Sequence, residues 1–213
     1  EGAYADTLLR LALASRYKDE ETGGHIARLS HSAKTLALFI GWNKASAQRL
    51  FAAAPMHDVG KIGIPDSVLG KHGPLNETEW EIIKRHPTIG ASLLAGTSSP
   101  LLRMAREVAL THHERWDGSG YPQGLEGENI PMSGRIIMLV DHYDALRSRR
   151  PYKEPFSHVK ACDVILNGNE RTQPTHFDPQ LLEAFREIHY RFDEIFCRIC
   201  DEDEQEFKVQ RLN

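Results

Sequence analysis

Histidines and carboxylates stand at the ends of apolar helical stretches in this chain. Asp141 directly follows the run Ile136–Val140. His57 and Asp58 follow Leu50, Phe51, Ala52, Ala53 and Ala54, and His112 and His113 follow a segment bearing Leu101, Leu102, Met104, Ala105, Val108, Ala109 and Leu110. A helix that buries such a face carries its polar end inside, where an unpaired carboxylate is costly. The fold therefore has to bring several helix ends together around something that neutralises them.

The patterning is helical almost throughout, which predicts an all-α bundle. Residues 4–17 carry an apolar stripe of Leu8, Leu9, Ala12 and Leu13 and read as a connector helix. Asp19 or Thr22 is positioned to cap a helix running to about Ile40, with Ile26, Leu29, Ala33, Leu36, Ala37 and Ile40 on one face and Gly41 as its stop. A third helix is expected over 44–58, kinked by Pro55 just before His57 and Asp58. Residues 59–75 read as loop, punctuated by glycine and proline. Asn76 and Glu79 form a capping-box pattern for a helix reaching His86, and Pro87 restarts the chain into 88–95. Pro100 opens a helix to about His113, and the Gly- and Pro-rich segment 116–131 reads as a long loop of the kind that carries function. Helices are expected at 133–146, 157–167 and 179–200, with no β-ladder and no internal repeat. The domain reading is 1–18 connector, 19–200 principal domain and 201–213 a flexible acidic tail.

The polar pieces fall into a set. Glu21 and His25, four residues apart, share a helix face; His57-Asp58, His86, His112-His113 and Asp141 complete it. Each alone has an ordinary reading: a surface pair, a helix-end histidine before Pro87, a structural His-His contact. Several such groups at the ends of separate apolar helices point to a multinuclear metal site inside a helical bundle. Mixed imidazole and carboxylate donors suit Fe, Mn, Zn or Ni. His31 lies six residues from His25 and points away, while His142, beside Asp141, reads as structural or supporting. His72 reads as a loop residue, and His158, His176 and His189 have no ligand company in the sequence.

Charge narrows the partners. With 26 Lys+Arg against 30 Asp+Glu the formal net charge is -4, which argues against a bulk electrostatic grip on a nucleic-acid polymer or an acidic membrane. No stretch is apolar enough for a membrane helix, and no signal peptide is visible. Three cysteines, Cys162, Cys197 and Cys200, do not make a secreted disulfide framework, so a reducing cytoplasm is expected. Cys197 and Cys200 lie at helical i, i+3 spacing and read as buried small residues rather than as a redox or zinc pair. Arg147, Arg149, Arg150 and Lys153 form a local basic run, read as a positive rim suited to a small dianionic ligand. Trp116 and Tyr121 flank the glycine loop and suit either stacking on a base or shaping the loop.

The segments KDEETGGH (18–25), HDVGKIGIPD (57–66), IIKRHPTIG (82–90), HHERWDGSGYP (112–122), VDHYDAL (140–146), RPYK (150–153) and HFDP (176–179) closely resemble the HD-GYP family of HD-domain phosphohydrolases, in order and spacing. The resemblance spans roughly residues 16–186. It implies an all-helical HD-domain bundle that hydrolyses cyclic di-GMP to pGpG and on to GMP, with a hydroxide held between cations as the attacking group. The metal ligands it implies are Glu21, His25, His57, Asp58, His86, His112, His113 and Asp141, with Asp58 bridging. Lys61 is implied to hold a phosphate oxygen, with Asp19, Arg150 and Lys153 contacting substrate. Gly120, Tyr121 and Pro122 form the namesake motif, bordering the site and serving partner contacts. A glutamate at position 21 goes with a third ion, so two or three divalent ions are expected, Fe first, with Mn, Zn or Ni as alternatives.

Other readings use the same residues: hydrolysis of 3′,3′-cyclic GMP-AMP or of pGpG, or a cyclic-dinucleotide-binding signalling module with little turnover. Hydrolysis of nucleoside triphosphates or ppGpp is disfavoured by the GYP loop and the RPYK segment. The resemblance and the helix leading in from Glu1 also suggest an upstream sensory or receiver domain, as in a two-component response regulator. They further suggest contact with a diguanylate-cyclase domain through the GYP loop, and a homodimer.

Overall fold

The structure, a computed structural model, describes residues 23–96, 98–149 and 154–210. The helix expected over 4–17 lies outside the described residues. Nine α-helices are described: α1 Gly23–Phe39, α2 Lys44–Ala53, the single turn α3 Asp66–Leu69, α4 Glu77–Ile83, α5 His86–Leu93, α6 Pro100–Thr111, α7 Met132–Arg147, α8 His158–Asn167 and α9 Pro179–Gln210. Among the described residues there is no strand; an isolated bridge pairs Asp117 with Glu126 inside the long loop.

Local chemistry sets many of the boundaries. The Asn43 side chain accepts from the Ser46 amide at 2.8 Å and starts α2. Asn76 and Glu79 close the expected capping box, with bonds of 2.9 and 2.8 Å, and Lys71 holds the Glu79 carboxylate from outside. That helix stops at Ile83, short of the expected His86. His86 instead opens α5 with Pro87 directly behind it, because proline fits the first turn of a helix and disrupts its interior. Pro55 does not kink a helix that continues to Asp58; the chain leaves α2 at Ala53 and tightens into a 3₁₀ turn, Ala54–Met56. The expected loop 59–75 contains a second 3₁₀ turn, Val59–Gly63, and α3. The last helix runs past Cys200 to Gln210.

Helix α7 is the axle of the bundle. Its buried residues, among them Ile136, Ile137, Leu139, Val140, Tyr143 and Asp144, lie around much of its circumference, as expected of a helix enclosed by neighbours. It packs against α1, α6, α8 and α9. One core cluster joins α7 to Leu29, Leu36, Leu50, Val164, Phe185 and Phe192. A second, containing Ile26, Met56, Val59, Leu101, Ala105 and Ala109, lies under the 3₁₀ turns that carry His57 and Asp58. Both clusters draw on α1, α2 and α6, so the helix ends between them are fixed from two sides.

Candidate metal centre

Five elements converge on Asp58. His57 and Asp58 occupy the bend between the two 3₁₀ turns, His25 comes from α1, His86 opens α5, His112 and His113 close α6, and Asp141 lies on α7. Gly60 makes the approach of the turn to α5 possible: a Cβ there would lie 1.9 Å from the His86 carbonyl oxygen and 2.5 Å from the Gly90 nitrogen.

Two donor groups result. Asp58, His86, His112 and His113 form one, His25, His57 and Asp141 the other, with ligand atoms within 4.8 Å of one another in each. Asp58 Oδ1 lies 3.1 Å from His86 Nε2 and 3.5 Å from His112 Nε2, while Oδ2 lies 3.1 Å from His57 Nε2. His86 Nε2 and His112 Nε2 are 3.2 Å apart, and His25 Nε2 is 3.7 Å from Asp141 Oδ1. Asp58 Oδ1 is buried and makes no hydrogen bond of ordinary geometry.

The protons can be located from the other side of each ring. His57 Nδ1 donates to the Ala54 carbonyl at 3.0 Å, His86 Nδ1 to the Ile83 carbonyl at 2.8 Å, and His112 Nδ1 to the Ala109 carbonyl at 3.0 Å. His25 Nδ1 donates to Asp144 Oδ2 at 2.8 Å. All four partners can only accept, so each Nδ1 carries the proton and each neutral ring turns an Nε2 lone pair inward. Lone pairs then face lone pairs and carboxylate oxygens across the centre. This donor set fits a cation.

The electrostatics point the same way. Burial pushes the Asp58 carboxyl up, but the net direction is well below the ordinary carboxylate range, with the adjacent Lys61 ammonium the largest opposing cause. Burial holds His112 below the usual histidine value against the pull of Asp58. Burial holds His113 well below it.

Of the residues singled out in the sequence, His25, His57, Asp58, His86, His112, His113 and Asp141 are brought together. Lys61 Nζ lies 2.7 Å from Asp58 Oδ2. Tyr121 stacks on His113, with ring centroids 4.6 Å apart. Gly120 lets the loop fold against the end of α6, since a Cβ there would lie 2.3 Å from the Arg115 nitrogen. The Tyr121–Pro122 peptide is cis. Asp19, Glu21, Arg150 and Lys153 lie outside the described residues.

Several expectations are corrected. Arg147 is not part of a free basic rim: it donates to Asp193 at 2.6 Å and to Tyr143 at 2.9 Å and lies over the Phe196 ring. Cys197 is exposed rather than buried. Of the two roles open to Trp116, its contacts are those of loop shaping: Arg135 covers its ring and its backbone binds His176 and Gly127. His158 and His189 are in contact with each other.

Three supporting residues escape sequence reasoning. Buried Asp144 orients His25 and is itself gripped by Arg28 at 2.6 and 2.9 Å. Its place one turn after Asp141, with Arg28 one turn after His25, was the available signal. Buried Glu114 accepts from the amides of Gln123 at 2.8 Å and Leu125 at 3.0 Å and ties down the loop that carries Tyr121.

The family described as HD domain matches residues 9–181. The cyclic di-GMP phosphodiesterase response regulator RpfG of Xanthomonas campestris is 44% identical over 179 residues, 84% of this chain and 46% of that protein. The chain belongs to the HD-domain family, in its HD-GYP group. A second relative, a cyclic di-GMP phosphodiesterase of Vibrio cholerae, is 46% identical over 199 residues, 87% of this chain and 39% of that protein. The chain thus spans less than half the length of these two relatives. The crystal structure of a cyclic GMP-AMP specific phosphodiesterase of Vibrio cholerae shares the HD-domain fold, with a TM-score of 0.62, 17% identity, and 92% of this chain and 53% of that chain covered. Among the described residues no helix is long and apolar enough to cross a membrane.

Proposed function

We propose that this HD domain is a metal-dependent phosphodiesterase that opens cyclic di-GMP to pGpG and cuts pGpG on to GMP. The observation that carries the reading is the set of four imidazoles whose Nδ1 protons are committed to acceptor-only oxygens, leaving Nε2 lone pairs converging around Asp58 and Asp141. In this reading Asp58, His86, His112 and His113 hold one divalent ion and His25, His57 and Asp141 a second, with Asp58 between them and Glu21 serving a third. Iron suits the mixed imidazole and carboxylate donors, with Mn, Zn or Ni as alternatives. Bound divalent ions supply a water of lowered pKa and positive charge for the phosphate oxygens.

The chain's own residues do the rest. Lys61 sets a fixed ammonium beside Asp58, where negative charge accumulates as the phosphodiester is attacked. Tyr121, stacked on His113, walls one side of the centre against water and offers a ring edge to a base. Asp19, Arg150 and Lys153 bind the substrate, and the turn Gly120-Tyr121-Pro122 presents the loop to a partner such as a diguanylate-cyclase domain. A cytoplasmic protein with an upstream receiver or sensory domain, able to dimerise, completes the reading.

The test is anaerobic purification with elemental analysis, followed by chromatography of products formed from cyclic di-GMP, 3′,3′-cyclic GMP-AMP and pGpG with Fe(II) or Mn(II). Production of pGpG and GMP from cyclic di-GMP is expected. Absence of turnover with every metal would overturn the reading in favour of a binding module, and turnover of cyclic GMP-AMP alone would reassign the substrate.

A further inference from the structure

A second group of metal-type donors lies where α8 meets α9. His158 and Cys162 are one turn apart on α8 and project from one face; His189 and Asp193 are one turn apart on α9 and face them. His158 Nε2 is 2.9 Å from His189 Nδ1, and Cys162 Sγ is 3.7 Å from His158 Nε2. The ligand atoms of His158, Cys162 and His189 all lie within 4.8 Å of one another, and none of the three belongs to the centre around Asp58. Tetrahedral zinc with bonds of about 2.0–2.3 Å sets its ligand atoms about 3.3–3.6 Å apart. The observed spacings bracket that range, so small rotamer adjustments suffice.

We propose that His158, Cys162 and His189 bind one thiophilic cation of the zinc class, which clips α8 to the C-terminal helix α9. The surroundings are built for it. The far nitrogen of His158, Nδ1, lies 2.8 Å from the Tyr143 hydroxyl, the outer hydrogen bond that orients a metal-bound imidazole. Arg147 is the unfavourable neighbour, but its charge is matched by Asp193 at 2.6 Å. The thiolate therefore remains as the counter-charge to the cation. Asp193 Oδ1, 3.9 Å from His158 Nδ1, stands beside the group rather than in it. His158 and His189 are only partly buried, which leaves the fourth position open to water. On binding, the proton between the two imidazoles shifts to the outer nitrogen of its own ring, and the thiol releases its proton to solvent and binds as thiolate. The donor chemistry separates the two centres: one sulfur and two nitrogens select a soft or borderline ion, whereas the carboxylate-containing centre also accepts harder ones.

The probe is Co(II), titrated anaerobically into the full chain, with absorption read for the thiolate-to-cobalt charge-transfer band and bound metal counted after desalting. The wild-type chain is expected to show the band. Cys162→Ser is expected to lose it together with one equivalent of Co(II), and His189→Gln, on the partly exposed side, to lose the same equivalent. The double variant Cys197→Ser/Cys200→Ser is expected to keep the band. Circular dichroism checks that each variant is folded. No band in the wild-type chain, a band unchanged in Cys162→Ser, or a band lost in Cys197→Ser/Cys200→Ser would each overturn the proposal.

Discussion

Replacing Asp144 by Asn isolates the support beneath the metal centre. Asp144 is buried, and burial by itself pushes its carboxyl up; Arg28 first, then His25, outweigh this and bring it from the ordinary 3.8 to about 2. That difference corresponds to about 2.5 kcal/mol favouring the ionised form in the folded chain. Asn fills the same space and still accepts from His25 Nδ1, but it leaves the buried Arg28 guanidinium without its carboxylate. Breaking a buried pair from one side costs about 3–5 kcal/mol. We therefore expect a loss of roughly 2–4 kcal/mol near neutral pH in urea unfolding of chelator-treated protein. The loss should depend on pH in a defined direction. Because the folded-state value lies below the unfolded one, the native protein binds fewer protons than the unfolded chain in the window between them. The stabilisation is complete above about pH 4 and disappears as pH falls through about 2. The gap between wild type and Asp144→Asn should thus narrow by about 1 kcal/mol on going from about pH 6 to about pH 3, while carboxylates shared by both proteins cancel. A gap under about 1 kcal/mol at neutral pH, or one that stays constant down to about pH 3, would refute the assignment of Asp144 as a buried anion paired with Arg28.

Three further outcomes follow from the geometry. Gly60→Ala places a Cβ 1.9 Å from the His86 carbonyl oxygen; since the obstacle is backbone, the turn and α5 must separate. We expect a stability loss of about 1–3 kcal/mol by thermal unfolding, and a fall in turnover of about 100-fold or more as Asp58 and His86 move apart. Glu114→Gln turns an amide N–H₂ toward one of two amide donors, so about 1–3 kcal/mol is lost locally and hydrogen exchange over 116–131 accelerates, while α1 and α7 exchange as before. Chelation is expected to abolish hydrolysis, with recovery on adding Fe(II) or Mn(II); full activity in a verified metal-free protein would contradict the site.

The helices were legible because they depend on local spacing, and the histidines and carboxylates that meet around Asp58 were legible as a set of polar groups at the ends of apolar helices. Apolar periodicity located α1, α6, α7 and α8 to within a few residues, and the capping pair Asn76/Glu79 identified the start of α4. Where the reading went astray, a tertiary contact had decided the local structure. His86 belongs to the start of α5, and the glycine-rich stretch after Asp58 tightens into a 3₁₀ turn rather than a loop, since Gly60 lets it sit against α5. Asp144 and Arg28 were missed for a related reason: Asp144 acts on His25 and Arg28 from 119 and 116 residues away. Arg147 was misassigned because a basic run in sequence does not reveal that Asp193, 46 residues on, already holds its guanidinium.

The histidines show what the three-dimensional arrangement adds to such a reading. Residue type does not separate a ligand from a packing residue: His31 meets the Phe51 ring edge-on, and His142 bonds the Thr172 hydroxyl at 2.9 Å beside Phe177. What distinguishes His25, His57, His86 and His112 is that one ring nitrogen is committed to an acceptor-only partner while the other turns toward a carboxylate shared with further imidazoles. Two features therefore mark these four imidazoles, a fixed tautomer and a shared focus, and neither can be read from residue type. His158 and His189 satisfy the focus, with Cys162, but they bond each other, and the outer partner of His158 is a tyrosine hydroxyl that can donate as well as accept. Their tautomers are therefore not fixed in advance. On this argument the proposed Asp58 centre is preorganised for a cation, whereas the proposed α8–α9 site must first shift one proton and release another, which predicts tighter retention of metal at the former during graded chelation.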